Sequence, residues 1–312
     1  MDSLLTSIQV IGPVLLQLSL GWLLRTLRWI KDDTTSNLND LIFRFFLPVL
    51  LFNNIREMDL TMGLSGMLPL TMGIALTAVF LVSYLLFPLI EKDPRKEGVM
   101  VQAMFRTSFS IVGIPLLSHM YGEKGTAAAT MVLPVLIVLN NVYAVLSLSR
   151  HSGKRISIRR MLLHMITNPL IVSSAVGLLF LWLKIQLPQP IHVGLKQVGG
   201  ITSPLALIVL GASLRWQGIR DNQKQLIQTL VIRQAIIPAI MFIAACLLHY
   251  TKESMAVMLV TFGCPVAIGA YPMAVAMGGD GQLAAGQVVL TTIGSMFSFL
   301  FLFWIGMALG LL

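Results

Sequence analysis

Charged side chains are scarce in this sequence: they make up 11% of its 312 residues, whereas hydrophobic residues make up 56%. Of the 13 acidic residues, only Asp40 falls inside a long apolar segment. A cation antiporter, or an enzyme that transfers prenyl groups inside the membrane, needs acidic groups at mid-membrane. The sequence also lacks the motifs of P-loop, zinc-peptidase and serine-hydrolase enzymes. We therefore expect that the protein is not an enzyme and carries no cofactor.

Cysteine is nearly absent as well. Cys246 and Cys264 are the only two, and both lie within apolar segments. This number and placement indicate neither a disulfide framework nor a thiolate metal site. We expect no bound metal.

Long apolar segments make up most of the sequence, and its mean hydropathy is +0.84. A membrane-spanning helix needs roughly 20 apolar residues, so this composition predicts an all-α, polytopic membrane protein with ten transmembrane helices. The expected spans are about 4–27, 36–54, 62–90, 98–121, 125–148, 161–186, 192–213, 225–250, 254–277 and 283–311.

The net charge of +9 would suggest nucleic-acid binding in a soluble protein. Here the basic residues fall mainly in alternate loops, after the first, third, fifth and seventh spans, which is the pattern that membrane topology produces. We therefore expect no nucleic acid and a chain surrounded by lipid. The positive-inside rule places both termini outside a cell membrane, the inner membrane in a Gram-negative organism.

The sequence repeats itself when it is shifted by half its length. Residues 1–149 and 161–312 each contain five spans, and the basic inside loop 150–160 joins them. An odd number of spans inverts the second copy relative to the first, as in many secondary transporters. The matched pairs include Pro13 and Pro169, Gly21 and Gly177, Pro48 and Pro204, and Gly113 and Gly269.

The fourth span is interrupted by polar residues, a glycine and a proline between Arg106 and Pro115. Pro115 has no N–H to donate to the carbonyl of Ile111, and Gly113 supplies backbone freedom. We therefore predict a broken helix that opens over residues 111–115. A simple proline kink is the alternative interpretation.

The ninth span carries the matching interruption, with Ile268, Gly269 and Ala270 shortly before Pro272. Interrupted spans at corresponding positions of two repeats are the best sequence indication of a transport site. We therefore predict that the fourth and ninth helices cross at their breaks.

Helix polarity suggests what such a site binds. Half-helices that begin near Gly113 and Ala270 would present free N–H groups to an anion. Carbonyls near Ser108 and Ala267 would hold a cation or a proton-bearing water, which leaves proton and sodium coupling both open. The predicted substrate-binding residues are Ser108, Gly113, Pro115, Asn140, Asn141, Ile268, Gly269 and Ala270.

Arginines inside the spans are further candidates. Arg106 and Arg233 lie about eight residues from the inner face, where they would line a vestibule that attracts anions. The alternative is that they extend to the lipid headgroups. Arg44 has a local partner in Asp40, four residues earlier. Asp40 and His119 are the candidates for ion coupling.

The pattern as a whole resembles the auxin efflux carrier family, which includes plant auxin exporters and many bacterial carriers. The resemblance covers the whole chain. Relatives commonly have asparagine at the position of Ser108, so this chain departs from the family there. The motifs are Leu38-Asn39-Asp40, Leu47-Pro48-Val49-Leu50-Leu51-Phe52, Arg106-Thr107-Ser108, Gly113-Ile114-Pro115, Leu210-Gly211-Ala212-Ser213-Leu214 and Pro265 to Gly278-Gly279-Asp280.

The resemblance implies a scaffold domain of helices 1, 2, 6 and 7, a transport domain of helices 3–5 and 8–10, and a homodimer. It also implies a secondary carrier of small organic anions that works by an elevator-type movement, in export or exchange. A sodium-coupled symporter like the bile-acid carriers is the alternative within transport. A non-transporting membrane receptor or regulator built on a carrier scaffold is the alternative outside it.

Overall fold

The structure is a computed structural model that describes residues 2–57, 67–149 and 167–308. The basic loop expected at 150–160 lies outside these residues. The helices in the described part of the chain are α1 (Asp2–Thr26), α2 (Asp32–Arg56), α3 (Met67–Ile90), α4 (Pro94–Phe105), α5 (Phe109–Ser149), α6 (Pro169–Trp182), α7 (Gln189–Ser213), α8 (Trp216–Asp221), α9 (Gln223–Leu247), α10 (Lys252–Gly263), α11 (Ala270–Ala276) and α12 (Gly281–Ala308).

The helices confirm an all-helical, multi-pass membrane protein. Six of them in the described ranges, α2, α3, α5, α7, α9 and α12, are long and apolar enough to cross a membrane, and α6 is a shorter apolar helix. The predicted ninth span corresponds to α10 and α11. The fourth corresponds to α4 with the start of α5, and the fifth to the rest of α5. Gly122 separates those two parts of α5 with φ 59° and ψ −137°, a backbone conformation that favours glycine.

Loops that follow alternate spans meet at one end of the molecule. Asp32 Oδ1 accepts from both Arg25 and Arg215, each at 2.7 Å, which joins the end of α1 and the start of α2 to the loop after α7. The N–H of Asp280 donates to the carbonyl of Arg95 at 3.0 Å, which adds the start of α4 and the loop before α12. Three of the four basic loops predicted to share one side of the membrane therefore lie at one end, and the fourth, 150–160, lies outside the described residues.

Two close helix contacts hold α1 against α7 and α2 against α6. A Cβ at Gly21 of α1 would overlap the carbonyl oxygen of Ile208 of α7. A Cβ at Gly177 of α6 would lie 3.1 Å from the carbonyl oxygen of Phe52 of α2. Shifting the first contact by half the chain length gives the second, so the repeat visible in the sequence recurs in these contacts.

The two interrupted segments cross and are joined through their backbones. After α4 ends, Thr107 pairs with Val266 as an isolated antiparallel bridge. The N–H of Ser108 donates to the carbonyl of Pro265 at 3.0 Å, and the N–H of Ala267 donates to the carbonyl of Arg106 at 3.2 Å. These bonds satisfy backbone groups that the broken helices leave free.

The first break lies a turn earlier than the sequence predicts. Residues 106–108 interrupt the helix, and Pro115 lies within α5 instead of at the opening. The turn before it, Phe109–Gly113, is π-helical, and the N–H of Ile114 donates to the carbonyl of Phe109. This wider turn accommodates a proline that cannot donate to the carbonyl of Ile111, so the proline produces a bulge and not a break.

Candidate functional site

A cavity of about 320 Å³ lies where the two breaks cross. Both breaks contribute to its wall, together with α2, α7 and the later part of α5. Six of the predicted site residues line it, which brings together positions from both halves of the chain. They are Arg106, Ser108, Asn140, Asn141, Ile268 and Gly269.

Four backbone N–H groups on the cavity wall have no hydrogen-bond acceptor in the described part of the chain. They belong to Phe109 and Ser110, at the start of α5, and to Ile268 and Gly269, just before α11. In each pair the groups precede or begin a helix, where the backbone carries partial positive charge. Two helix N-termini of opposite halves therefore border one cavity with N–H groups that lack an acceptor, an arrangement that suits an anion.

Arg106 places a full positive charge at the same cavity. Its side chain is buried, its Nη1 donates to the thioether sulfur of Met273 at 2.9 Å, and no described carboxylate forms an ion pair with it. Its Nη2 lies 3.3 Å from the position that a Cβ at Gly269 would take. A thioether is a weak acceptor, so this guanidinium is available to a ligand.

Adjacent amides of α5 add polar surface. Asn141 Nδ2 donates to the carbonyl of Ile137, within its own helix, at 2.8 Å. The buried Oδ1 of Asn140 has no hydrogen-bond partner. Because an unpaired polar atom in an apolar surrounding is costly, Asn140 is the better candidate of the two for contact with a ligand.

Arg233 lies apart from this cavity, although the sequence suggested a vestibule position. It is completely buried, and its guanidinium donates to the carbonyl oxygens of Met104 and Cys264. Arg106 in turn lies at the crossing itself, on the wall of the cavity. The two arginines therefore occupy different environments, because α4 and α10 enclose the side chain of Arg233.

Other predicted residues do not reach the cavity either. Gly113 packs against the ring of its own neighbour Phe109, and Pro115 and His119 are exposed on α5. Asp40 is exposed and pairs with Arg44 at 3.3 Å, as their spacing predicts. Ala270 is buried at the first position of α11 but does not line the cavity.

Residues of α2 and α7 were missed by the sequence analysis. Asn54 of α2 and Thr202 and Ser203 of α7 face the cavity, and the hydroxyl of Thr202 donates to the carbonyl of Phe46 at 3.1 Å. The repeat contains a signal for Ser203 among these three. A shift of half the chain length places Leu47 on Ser203 and Leu50 on Ala206, and all four of these residues line the cavity.

A second cavity of about 440 Å³ lies at the end where the basic loops meet. Its wall includes charged residues of this end of the molecule, among them Asp32, Arg95 and Arg215. Asn39 also lines it and donates to the carbonyl of Pro272 at 3.3 Å, next to the second break. The protein thus has one cavity at the crossing and another at the end that the sequence assigns to the cell interior.

Comparison with known proteins agrees with this geometry. A family model described as "Membrane transport protein" matches residues 6–304. The chain belongs to this family, the auxin efflux carriers. No curated protein matches the chain.

Auxin efflux carriers are membrane transporters, so this chain is a multi-pass integral membrane protein of a transport family. The family match covers both halves of the chain, including α2, α7 and both breaks. The residues that line the cavity at the crossing all lie within the matched range.

Proposed function

We propose that this auxin efflux carrier family member is a secondary transporter of small organic carboxylates, which it binds in the cavity at the crossing. The observation that carries the proposal is that four residues with free N–H groups and the guanidinium of Arg106, which pairs with no described carboxylate, line that one cavity. These groups offer hydrogen bonds and positive charge to a carboxylate, and the described wall offers no carboxylate to repel it.

The size of the cavity favours a small solute. At about 320 Å³ it lies at the low end of the range of roughly 300–1,000 Å³ typical of small-molecule sites. Apolar residues such as Leu47, Leu133 and Leu136 cover much of its wall. A carboxylate with a short apolar or polar body suits this combination better than a rigid bile-acid skeleton.

The position of the cavity supports an elevator-type movement. One side of the cavity belongs to α2 and α7, which with α1 and α6 make up the proposed scaffold, and the other belongs to the crossing segments of the proposed transport domain. A displacement of the crossing segments along the scaffold would carry the anion from one side of the membrane to the other. The second cavity, at the basic-loop end, would receive the anion there.

The proposal includes net export or exchange, ten membrane-spanning segments arranged as two inverted repeats, termini outside, and a homodimer. The symmetric contacts at Gly21 and Gly177 support the repeat. The clustering of the basic loops supports alternate loops on a common side. The proposed substrate is the organic anion. Its transport is coupled to a proton or to no ion.

Counterflow in proteoliposomes tests the function. A thermal-unfolding screen of mono- and dicarboxylates, with and without sodium, would first select a ligand, because ligand binding stabilises the folded state. We expect labelled ligand to accumulate in vesicles that are preloaded with the unlabelled compound. Binding without counterflow would instead favour the receptor alternative, and a strict sodium requirement would favour the sodium-coupled symporter.

Two glycine variants test the location of the site. Gly269→Leu would fill the cavity beside Arg106 and Leu47, and we expect it to abolish counterflow. Gly200→Leu is the matched control, because the surroundings of Gly200 on α7 are open space. Counterflow by the Gly269→Leu variant at the rate of the unmodified protein would show that the anion binds elsewhere.

A further inference from the structure

Arg233 holds a position that the carrier function just proposed does not use. It lies in a π-helical turn of α9, Ile232–Ile236, and its side chain has no exposed surface. Its Nη1 donates to the carbonyl oxygen of Met104, and its Nη2 donates to that of Cys264 at 3.1 Å. No carboxylate of the described residues pairs with it. A fully buried charge is costly unless its surroundings supply the opposite charge.

Two helix ends supply this negative charge to Arg233. Met104 belongs to the last turn of α4, and Cys264 directly follows α10. The C-terminus of a helix carries roughly −0.5 elementary charge, so two such ends together balance the single charge of one guanidinium. The side chain of Arg233 thus bridges the carbonyl ends of both half-helices at the crossing.

Carbonyl ends of this kind bind the coupling cation in many transporters with broken helices. Here the guanidinium of the protein itself occupies them. We propose that the guanidinium of Arg233 takes the place of a bound cation at the crossing. It holds both carbonyl ends together and thereby positions the N–H groups at the substrate cavity.

The path from Arg233 to the cavity is short. Cys264 precedes Pro265, whose carbonyl accepts the N–H of Ser108, and Ser108 is the residue immediately before α5. Met104 lies two residues before Arg106, whose carbonyl accepts the N–H of Ala267. A change in the distance between the two carbonyl ends therefore displaces both sets of free N–H groups. Arg233 acts as a positioning residue, without contact to the substrate.

Removal of the guanidinium should leave a vacant cation site. In an Arg233→Gln variant, the carbonyl ends lose their positive partner, so we expect a lower unfolding temperature. Guanidinium ion has the shape and charge of the missing group. Millimolar guanidinium chloride, with choline chloride keeping the ionic strength constant, should raise the unfolding temperature of this variant saturably and leave that of the unmodified protein unchanged.

Arg44→Gln is the matched control, because Arg44 is also an arginine of a spanning helix but is exposed and paired with Asp40. Guanidinium should not stabilise it. An Arg233→Gln variant that shows no saturable response to guanidinium, or the same response as Arg44→Gln, would overturn the proposal. This measurement needs no transported substrate, so its outcome is independent of whether the proposed function holds.

A second variant covers the case in which Arg233→Gln does not fold. Arg233→Lys keeps the charge, but an ammonium group does not reproduce the planar fork that reaches two carbonyls. The positioning role, which rests on the proposed function, predicts that KM for the carboxylate selected by the screen rises by about tenfold or more. A KM equal to that of the unmodified protein, in folded Arg233→Lys, would refute positioning by Arg233.

Discussion

Replacement of Arg106 by methionine tests two effects of this guanidinium separately. One is its contribution to carboxylate binding, and the other is its effect on the stability of the ligand-free protein. Methionine keeps most of the length of the side chain but removes its charge and donors. Hydrogen bonds to charged groups contribute about 1.5–3 kcal/mol. At 1.4 kcal/mol for each factor of ten, we expect Arg106→Met to weaken carboxylate binding by about 10-fold to about 150-fold.

The same substitution should not destabilise the protein without ligand. Arg106 is buried, and its described partner is a thioether, not a carboxylate. An apolar replacement removes a buried charge that pairs with no described carboxylate, and burial of such a charge is costly. We therefore expect the unfolding temperature of the ligand-free variant to equal or exceed that of the unmodified protein.

Thermal unfolding with increasing carboxylate measures both quantities. At 100 times its dissociation constant, a ligand stabilises by about 2.7 kcal/mol. A variant that binds 100-fold more weakly would gain only about 0.4 kcal/mol at the same ligand concentration. Arg44→Gln, at an exposed arginine, should keep the full response. An undiminished response of Arg106→Met would refute direct binding by this guanidinium.

The remaining predictions concern ions, packing and excluded residues. Replacement of sodium by choline should leave counterflow unchanged, and a sodium requirement would contradict the role assigned to the arginine at the carbonyl ends. Gly211→Ala should destabilise by about 1–3 kcal/mol in thermal unfolding, because its Cβ would overlap the carbonyl oxygen of Leu18; Gly200→Ala, in open space, should not. Asp40→Asn and His119→Gln should each retain counterflow, since both side chains are exposed and line no wall of the crossing cavity. A loss of counterflow in either variant would show that the replaced residue takes part in ion coupling.

Features that depend on local sequence were predictable. The pairing of Arg44 with Asp40 follows from their spacing of four residues on a helix. The approximate position of the second break follows from Gly269 and Pro272, and α11 begins at Ala270 as expected. The repeat required only comparison of the sequence with itself.

Features that depend on distant contacts were not predictable in the same way. The first break lies at residues 106–108 because Thr107 pairs with Val266, which is far away in the sequence. Pro115 gave the stronger local signal but only widened a helical turn. Likewise, nothing near Arg233 in the sequence indicates that the ends of α4 and α10 would enclose it.

The close contact between α1 and α7 has a consequence for biosynthesis. Gly21 and Gly211 each face a backbone carbonyl of the other helix, so the contact needs both helices in place. Ribosomes add roughly 5–20 residues per second, and the two glycines are separated by nearly two thirds of the chain. For roughly 10–40 s after it leaves the ribosome, the first helix must therefore remain in the bilayer with lipid, or a membrane chaperone, against the surface that α7 later covers.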